Sequence, residues 1–343
     1  MSRLKQWARA ASAHSVATAA VTAALTSAML GCATVTAQGY EDSVAGKALI
    51  AEMVSEHEFT EAELKGWLSQ AKKQQSILEA IARPAEKTLT WAEYRKIFVT
   101  ASRIGKGVEF WQKNEAALAR AQEQYGVPAE IIVAIIGVET RYGQHMGNYR
   151  VLDALSTLAF DYPKRSDFFT KELKQFLLLA REQQRDPLSL KGSYAGAMGY
   201  GQFMPSSYRA YAADFDDDGF VDIWNNQQDA IGSVANYFVR HGWKTGAPVV
   251  SRARAASDFD QKLLNDSLKP KHTVASLKAE GFEPVTQLPG AAKANAMKLE
   301  GEHGVEFWMG LNNFYVITRY NHSRLYAMAV YQLSQEILQE KQT

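Results

Sequence analysis

The sequence predicts a mainly α-helical protein with one small insertion that contains β-strands. Apolar residues recur at three- and four-residue spacings from Lys47 to Ala82 and again from about Trp91 to Tyr125, as in helices with one buried face. The segment 247–318 differs, because short β-prone runs lie there among glycine, proline and charged residues. Helices on both sides of this segment indicate a helical protein with a small inserted β-containing domain.

The composition of the 343-residue chain is that of a globular protein. Hydrophobic residues make up 46% and charged residues 22%, which argues against a fibrous, disordered or polytopic membrane protein. The formal net charge is +1, and the first 31 residues carry three basic and no acidic side chains, so their removal would leave −2. A chain with that charge has no electrostatic attraction for nucleic acids, and we exclude that class of partner.

The first 31 residues have the pattern of a bacterial lipoprotein signal peptide. Arg3, Lys5 and Arg9 form a basic start, a weakly hydrophobic run follows, and Met-Leu-Gly-Cys32 resembles a lipobox. We expect lipidation of Cys32, where each buried methylene of an acyl chain would contribute on the order of 0.8 kcal/mol to membrane binding. Ala33 follows, which in this lipoprotein class implies the outer membrane, facing the periplasm. Cys32 is the only cysteine, so an internal disulfide is excluded, and a buried free thiol is the alternative.

The other segments follow from changes of pattern along the chain. Gly126-Val127-Pro128 ends the second helical stretch, and Pro128 suits the first turn of the next helix. The β-prone runs are Val249–Val250, Val285 and Phe314–Thr318, and the helical pattern returns from about Ser323 to Glu340. The predicted segments are the signal peptide (1–31), a tether (32–45), an α-domain (46–125), a core with the candidate site (126–246), a small β-containing domain (247–318) and a C-terminal helix returning to the core (319–343).

Glu139 is the candidate catalytic residue. Eight residues without charge precede it, and a helix that is apolar on every side is buried. Burial raises the pKa of a carboxyl group, and the negative end of a helix dipole acts in the same direction. We therefore expect Glu139 to keep its proton near neutral pH, as a general acid for glycosidic cleavage must. The alternative is a salt bridge, for instance to Arg141.

A glycine-rich segment, 193–208, is the second candidate element. Its three glycines within six positions disfavour a helix interior and allow a ligand to approach the backbone closely. Ser193 and Gln202 offer neutral hydrogen-bonding groups beside aromatic side chains such as Phe203, a mixture that suits an uncharged, hydroxyl-rich ligand such as a sugar. The alternative is a purely structural turn.

An acidic segment from Asp214 to Asp222 matches the spacing of an EF-hand calcium loop. Carboxylates occupy positions 1, 3, 5 and 9 and glycine occupies position 6, and the Phe220 carbonyl would be a further oxygen ligand. Position 12 is Asn225, where the standard loop has glutamate. We predict a structural Ca²⁺ held by residues that include Asp214, Asp216 and Asp218; a solvated acidic turn is the alternative.

The two candidate elements together resemble the paired motifs of the membrane-bound lytic transglycosylase B family. The motifs are Gly-Val-Glu-Thr-Arg-Tyr-Gly (137–143) and Ala-Gly-Ala-Met-Gly-Tyr-Gly-Gln-Phe-Met-Pro-Ser-Ser-Tyr (195–208), and similarity extends over most of 90–335. The resemblance implies a lysozyme-like helical core with an N-terminal α-domain and a small β-domain. It also implies that Glu139 is the sole catalytic acid and base, and that Asp229 closes the calcium loop. The residues it places along the glycan groove are Ser193, Gln202, Phe203, Tyr237, Tyr320, Asn321 and Tyr326, with further sugar or peptide contacts from Tyr94, Lys164 and Arg165.

The activity that this resemblance implies is non-hydrolytic cleavage of the peptidoglycan glycan strand, which leaves 1,6-anhydromuramic acid. Most glycosidases need two carboxylates, and Asp153 and Asp161 are the nearest other acids after Glu139. The rivals are a lysozyme-type hydrolase, a non-catalytic peptidoglycan-binding lipoprotein and, ranked below both, a calcium sensor. We expect no organic cofactor and a monomer, and complexes of cell-wall synthesis or hydrolysis are the protein partners to consider.

Overall fold

The N-terminal third of the chain consists of short helices in the computed structural model, which describes residues 39–82 and 89–343. The signal peptide and Cys32 lie outside these residues. Hydroxyls of Ser43, Thr60 and Thr100 accept backbone N–H groups at helix starts, and these caps divide the two predicted stretches. The helices are α1 (Val44–His57), α2 (Glu61–Leu68), α3 (Gln75–Ile81), α4 (Trp91–Phe98), α5 (Ala101–Lys113) and α6 (Glu115–Tyr125).

The central part of the chain is helical with long connections. Its elements are α7 (Ala129–Thr140), β1 (Tyr149–Arg150), α8 (Val151–Asp161), a 3₁₀ turn (Pro163–Arg165), α9 (Ser166–Glu182), β2 (Lys191–Gly192), α10 (Pro205–Tyr211) and α11 (Gln227–Arg240). The predicted buried helix before Glu139 is α7, whose residues 131–138 are all buried. The glycine-rich segment is irregular between β2 and α10, as its glycines predict.

An antiparallel five-stranded sheet follows, with strand order β4-β6-β7-β3-β5. Its elements are β3 (Val250–Ala255), a 3₁₀ turn (Gln261–Leu263), β4 (His272–Thr273), α12 (Val274–Ala279), β5 (Phe282–Pro284), β6 (Lys293–Gly301) and β7 (Gly304–Gly310). Met297 of β6 and Arg252 of β3 both lie opposite Trp308 of β7. The small β-containing part of the predicted fold is therefore present.

The prediction of a β-prone run at Phe314–Thr318 was wrong. These residues lie in α13 (Asn312–Tyr320), which precedes α14 (Arg324–Gln342). The buried amide of Asn313 accepts from the Lys244 N–H and donates to the carbonyls of Lys244 and Ala247, which fixes the start of the helix. Strand propensity depends on packing partners, and here Phe314 and Ile317 pack on helices instead.

Two hydrophobic clusters meet near the candidate site. One joins α7 to α4, α5, α6, α11, α13 and α14, and the other joins α1, α2 and α3 to α8 and α9. Residues 46–125, predicted as one α-domain, thus contribute to both clusters. Among the described helices, none has the length and apolar run needed to cross a bilayer.

Candidate active site

Glu139 lies one residue before the end of α7 and is half-buried. The hydroxyl of Tyr326, from α14, donates a hydrogen bond to Glu139 Oε1 at 2.5 Å. Arg141, the cation that the alternative interpretation invoked, directs its guanidinium to the Ser102 hydroxyl at 3.0 Å. The carboxyl group therefore faces a tyrosine hydroxyl supplied by a helix far away in the sequence.

Three tyrosines that the resemblance implicated surround this carboxyl group. Burial and the negative charge of Glu139 raise the pKa of both Tyr320 and Tyr326 well above its ordinary value, and burial raises that of Tyr237. All three hydroxyls stay protonated and act as donors: Tyr320 to the Gly201 carbonyl at 2.7 Å and Tyr237 to the Arg319 carbonyl at 2.6 Å. The surroundings of Glu139 thus include three tyrosines whose hydroxyls keep their protons.

The glycine-rich segment packs directly against the end of α7. Thr140, fully buried, contacts the Tyr200 carbonyl at 3.0 Å through its hydroxyl, which also accepts from the Gly143 N–H. Gly199 has a φ of +66°, and a Cβ there would lie 2.4 Å from the Ile223 carbonyl oxygen, so this turn requires glycine. Sequence reasoning missed Thr140, although its place beside Glu139 in the motif was a usable signal.

Gln202 and Phe203 hold this segment in place from within. Gln202, at a φ of +51°, donates from Nε2 to the carbonyls of Gly199 and Met146, at 3.0 and 3.2 Å. The buried Phe203 ring packs between Tyr237 and Tyr320, with centroids at 5.8 and 6.0 Å. The Ser193 hydroxyl accepts from two backbone N–H groups within the segment, so part of its capacity is structural.

The remaining sequence candidates fall into two groups. Tyr94 is 2% exposed and lies in the same buried cluster as Tyr326. Asn321 lies at the end of α13, between Tyr320 and α14. Lys164 and Arg165 lie on the exposed 3₁₀ turn between α8 and α9, where the Arg165 guanidinium covers the Phe168 and Phe169 rings. The contacts of Arg165 are thus local to that turn.

The two other acids considered at first have structural partners. Asp153 receives both Nε and Nη2 of Arg150, at 3.0 and 2.6 Å, together with the Lys72 N–H at 2.9 Å. Asp161 accepts from the Tyr40 hydroxyl at 2.5 Å and from Lys73 Nζ at 2.7 Å. Both carboxylates tie the N-terminal segment to α8.

Carboxylates of Asp214, Asp216 and Asp229 form a cluster whose oxygens lie within 4.8 Å of one another. Asp229 is fully buried, and desolvation raises its pKa; its oxygens accept from the Phe215 and Asp222 N–H groups. Asp216 Oδ1 is buried and has no hydrogen-bond partner among the described residues. Hard oxygen donors at these separations, one of them buried and unmatched, fit a Ca²⁺ ion.

The other members of the acidic segment have different roles. Asp218 is exposed and accepts from the Phe220 N–H, and Phe220 is 53% exposed. Asp222, at the ninth position of the loop, forms an ion pair with Arg185 at 2.9 Å instead of joining the cluster. That pair was not foreseen, because Arg185 lies 37 residues earlier and no local pattern connects the two.

Comparison with known proteins identifies the family of the chain. The family model described as "Transglycosylase SLT domain" matches residues 43–335. The chain is 48% identical over 297 residues to membrane-bound lytic murein transglycosylase B of Escherichia coli (strain K12), covering 84% of this chain and 81% of that protein.

Solved structures are similar over nearly the same length. Catenated lytic transglycosylase SltB1 from Pseudomonas aeruginosa is 54% identical, with a TM-score of 0.86 over 88% of this chain and 99% of that one. Escherichia coli lytic transglycosylase SLT35 in complex with calcium is 46% identical, with a TM-score of 0.82 over 91% and 99%.

The fold and the site therefore define a lytic transglycosylase with a lysozyme-like helical core, as predicted. The chain belongs to the membrane-bound lytic murein transglycosylase B family.

Proposed function

We infer that this protein is a peptidoglycan lytic transglycosylase in which Glu139 acts alone as acid and base. The observation that carries the inference is the Glu139 carboxyl group at the end of buried α7, hydrogen-bonded to the Tyr326 hydroxyl and faced by the glycine-rich segment. The relatives named above are lytic transglycosylases, which favours this activity over hydrolysis or simple glycan binding.

The proposed reaction needs one carboxyl group and no water. Protonated Glu139 donates its proton to the oxygen between N-acetylmuramic acid and N-acetylglucosamine, and the C1–O4 bond breaks. The N-acetyl group of the muramoyl residue stabilises the positive charge that develops at C1. Ionised Glu139 then removes the proton of the C6 hydroxyl on the same sugar while O6 forms a bond to C1. The product is a 1,6-anhydromuramoyl end, and Glu139 regains its proton.

The surrounding groups support both halves of this cycle. A hydroxyl donor stabilises a carboxylate, so Tyr326 favours Glu139 after it has given up its proton. The intramolecular attack gains from proximity, because the nucleophile is part of the bound sugar. The aromatic side chains beside Glu139, among them Tyr320 and Tyr326, suit an amino-sugar polymer.

The test is digestion of purified sacculi by wild type and by Glu139→Gln, with mass spectrometry of the released fragments. Wild type should release fragments one water lighter than hydrolysis products, and the variant should release none while it still sediments with sacculi. Glu130→Gln is the matched control, since Glu130 is a partly buried glutamate at the other end of α7, and it should keep full activity. Fragments with reducing ends would identify a hydrolase, and near-normal turnover by Glu139→Gln would remove its catalytic role.

We also propose a structural Ca²⁺ held by Asp214, Asp216 and Asp229, with Asp218 and the Phe220 carbonyl as further ligands. The buried, unmatched oxygen of Asp216 supports this assignment, and a relative was solved in complex with calcium. Ca²⁺ at a hundredfold excess over Kd should raise the free energy of unfolding by about 2.7 kcal/mol, and the midpoint temperature of thermal unfolding should shift upward with it. Asp216→Asn should lose this shift, and Asp258→Asn, an exposed acid outside the cluster, should keep it. An unchanged shift in Asp216→Asn would contradict the site.

A lipid anchor at Cys32 completes the proposal for location. The relative from Escherichia coli is described as membrane-bound, which supports membrane association. The lipobox-like residues before Cys32 support lipidation, and Ala33 after it supports the outer membrane. The wild type should fractionate with outer membranes and Cys32→Ala with the soluble periplasmic fraction. An equal distribution of the two proteins would contradict lipidation.

A further inference from the structure

A cavity of about 430 Å³ lies where the start of α4, strand β6 and the start of α14 meet. Trp91, Lys298 and Arg324 line it from these three elements. Trp91 and Tyr94 are three positions apart on α4, so they share one face, about 5 Å from each other. Tyr94 lies in the same buried cluster as Tyr326, which contacts Glu139. The cavity therefore begins about one helical turn from the surroundings of the catalytic residue.

Arg324 is the most informative residue of this cavity. Its guanidinium is half-buried and held at one edge by a hydrogen bond from Nη2 to the Asn265 carbonyl at 2.5 Å. Within the described ranges it forms no ion pair, although Asp266 is near enough to act on it; Asp266 instead lies within ion-pair distance of Lys271 and His272. A partly desolvated guanidinium without a carboxylate partner favours an anionic ligand.

Two polar donors at the cavity wall are unmatched. Arg324 Nε and Trp91 Nε1 are buried and have no acceptor in the part of the chain that the structure describes. Trp91 is 1% exposed, so its indole N–H is also cut off from solvent. Buried donors of this kind are uncommon, because each costs free energy until an acceptor is supplied.

The charges on the residues that line the cavity are positive on balance. Lys298 and Arg324 oppose one acid, Glu300, which is exposed. The first turn of α14, capped by the Ser323 hydroxyl, adds the positive end of a 19-residue helix. The same wall thus combines cations, unmatched N–H donors and a helix N-terminus beside the glycan site.

We propose that this cavity binds a carboxylate of the acidic stem peptide that branches from the muramoyl residue held at Glu139. The inference rests on the proposed function, since it takes the substrate from it. Two extended peptide residues span roughly 7 Å, enough to cover one helical turn from the sugar site to the cavity. Arg324 would hold the carboxylate, and Lys298 would add a second positive charge.

The test compares Arg324→Gln with wild type on two substrates, peptide-bearing glycan strands and strands stripped of peptide by an amidase. We expect kcat/KM to fall by about ten- to hundredfold on the peptide-bearing strands, the size of one charge-assisted hydrogen bond, and to stay near wild type on the stripped strands. Lys298→Gln should show a smaller loss of kcat/KM, again confined to the peptide-bearing strands. Arg254→Gln, an exposed arginine of β3 away from the cavity, is the matched control and should change neither substrate.

Equal losses on both substrates would assign Arg324 a structural role and overturn the proposal, and so would no loss on either. Calorimetry separates this proposal from the proposed function, because it needs no turnover. A peptide-bearing disaccharide should bind Glu139→Gln more tightly than it binds the Glu139→Gln, Arg324→Gln double variant. Equal affinities would overturn the cavity assignment even if wild type releases anhydro products. A difference in affinity would uphold it even if wild type releases none.

Discussion

Glu139 and Asp153 are both acids on core helices, but their partners differ in kind. Asp153, 4% exposed, accepts hydrogen bonds from the Arg150 guanidinium and from the Lys72 N–H, and both contacts are structural. Glu139 receives the hydroxyl of Tyr326, which can accompany a change in protonation. Burial alone therefore does not single out a catalytic acid. The chemistry of the partners separates the carboxyl group that joins two segments from the one that we propose to exchange a proton.

Removing the charge of Asp153 tests its structural role and should have the largest effect on stability. Asp153→Asn leaves the Arg150 guanidinium without its carboxylate, so the free energy of unfolding should fall by about 2–4 kcal/mol. Activity per folded molecule should stay close to wild type. Urea unfolding together with turnover of soluble glycan would measure both quantities.

Glu139→Gln should show the opposite pattern, with stability kept and turnover lost. If Asp153→Asn lost activity without losing stability, the division between a structural and a catalytic acid would be incorrect, and Asp153 would have to be reconsidered as a second carboxylate for the reaction.

Tyr326→Phe tests the role of the hydroxyl that contacts Glu139. Without its hydroxyl, the ionised state of Glu139 loses a charge-assisted hydrogen bond of about 1.5–3 kcal/mol, which should lower kcat by about ten- to hundredfold. The pKa of Tyr326 lies well above its ordinary value, so the hydroxyl keeps its proton and remains the donor over the working pH range. Tyr331→Phe, on the same helix, is the control and should turn over normally. Equal losses in both variants would indicate damage to α14 rather than to the site.

The sequence predicted which parts of the chain are helical better than it predicted where each helix begins and ends. Apolar spacing found the stretches but not the breaks at Thr60 and Thr100, because a capping hydroxyl in a helical pattern can also face solvent. It assigned Phe314–Thr318 to a strand, because β-branched and aromatic residues favour strands until tertiary packing decides otherwise. The helix start there depends on contacts of Asn313 with Lys244, 69 residues earlier.

Local motifs were sufficient for the two segments nearest the chemistry. Glu139 and the glycine-rich segment stand out from their neighbours in sequence, and the structure brings them together through Thr140. The partners that distinguish Glu139 from Asp153 could not be found in this way. Tyr326 lies 187 residues from Glu139, and Lys72 lies 81 residues from Asp153, so only the folded chain connects them.

A half-buried histidine beside the tyrosines offers a final and smaller test. His241 stacks on Tyr237 with ring centroids 4.0 Å apart, and its Nδ1 lies 2.8 Å from the Tyr237 carbonyl. Burial lowers the pKa of His241 below its ordinary value of 6.5, and the positive charge of Arg319 acts in the same direction. At a pH between the folded and the unfolded pKa of His241, the unfolded chain binds more protons than the folded one. Stability is therefore complete above the unfolded pKa of 6.5 and declines as the pH falls below it.

His241→Gln should remove this slope while keeping a side chain that can donate to the Tyr237 carbonyl. Urea unfolding measured from about pH 7 to about pH 5 should show a smaller decline in the variant than in wild type. Parallel declines would mean that other groups titrate in this range and that His241 accepts a proton as readily when folded. A reduced decline would show that burial beside Tyr237 disfavours the charged form of the His241 imidazole.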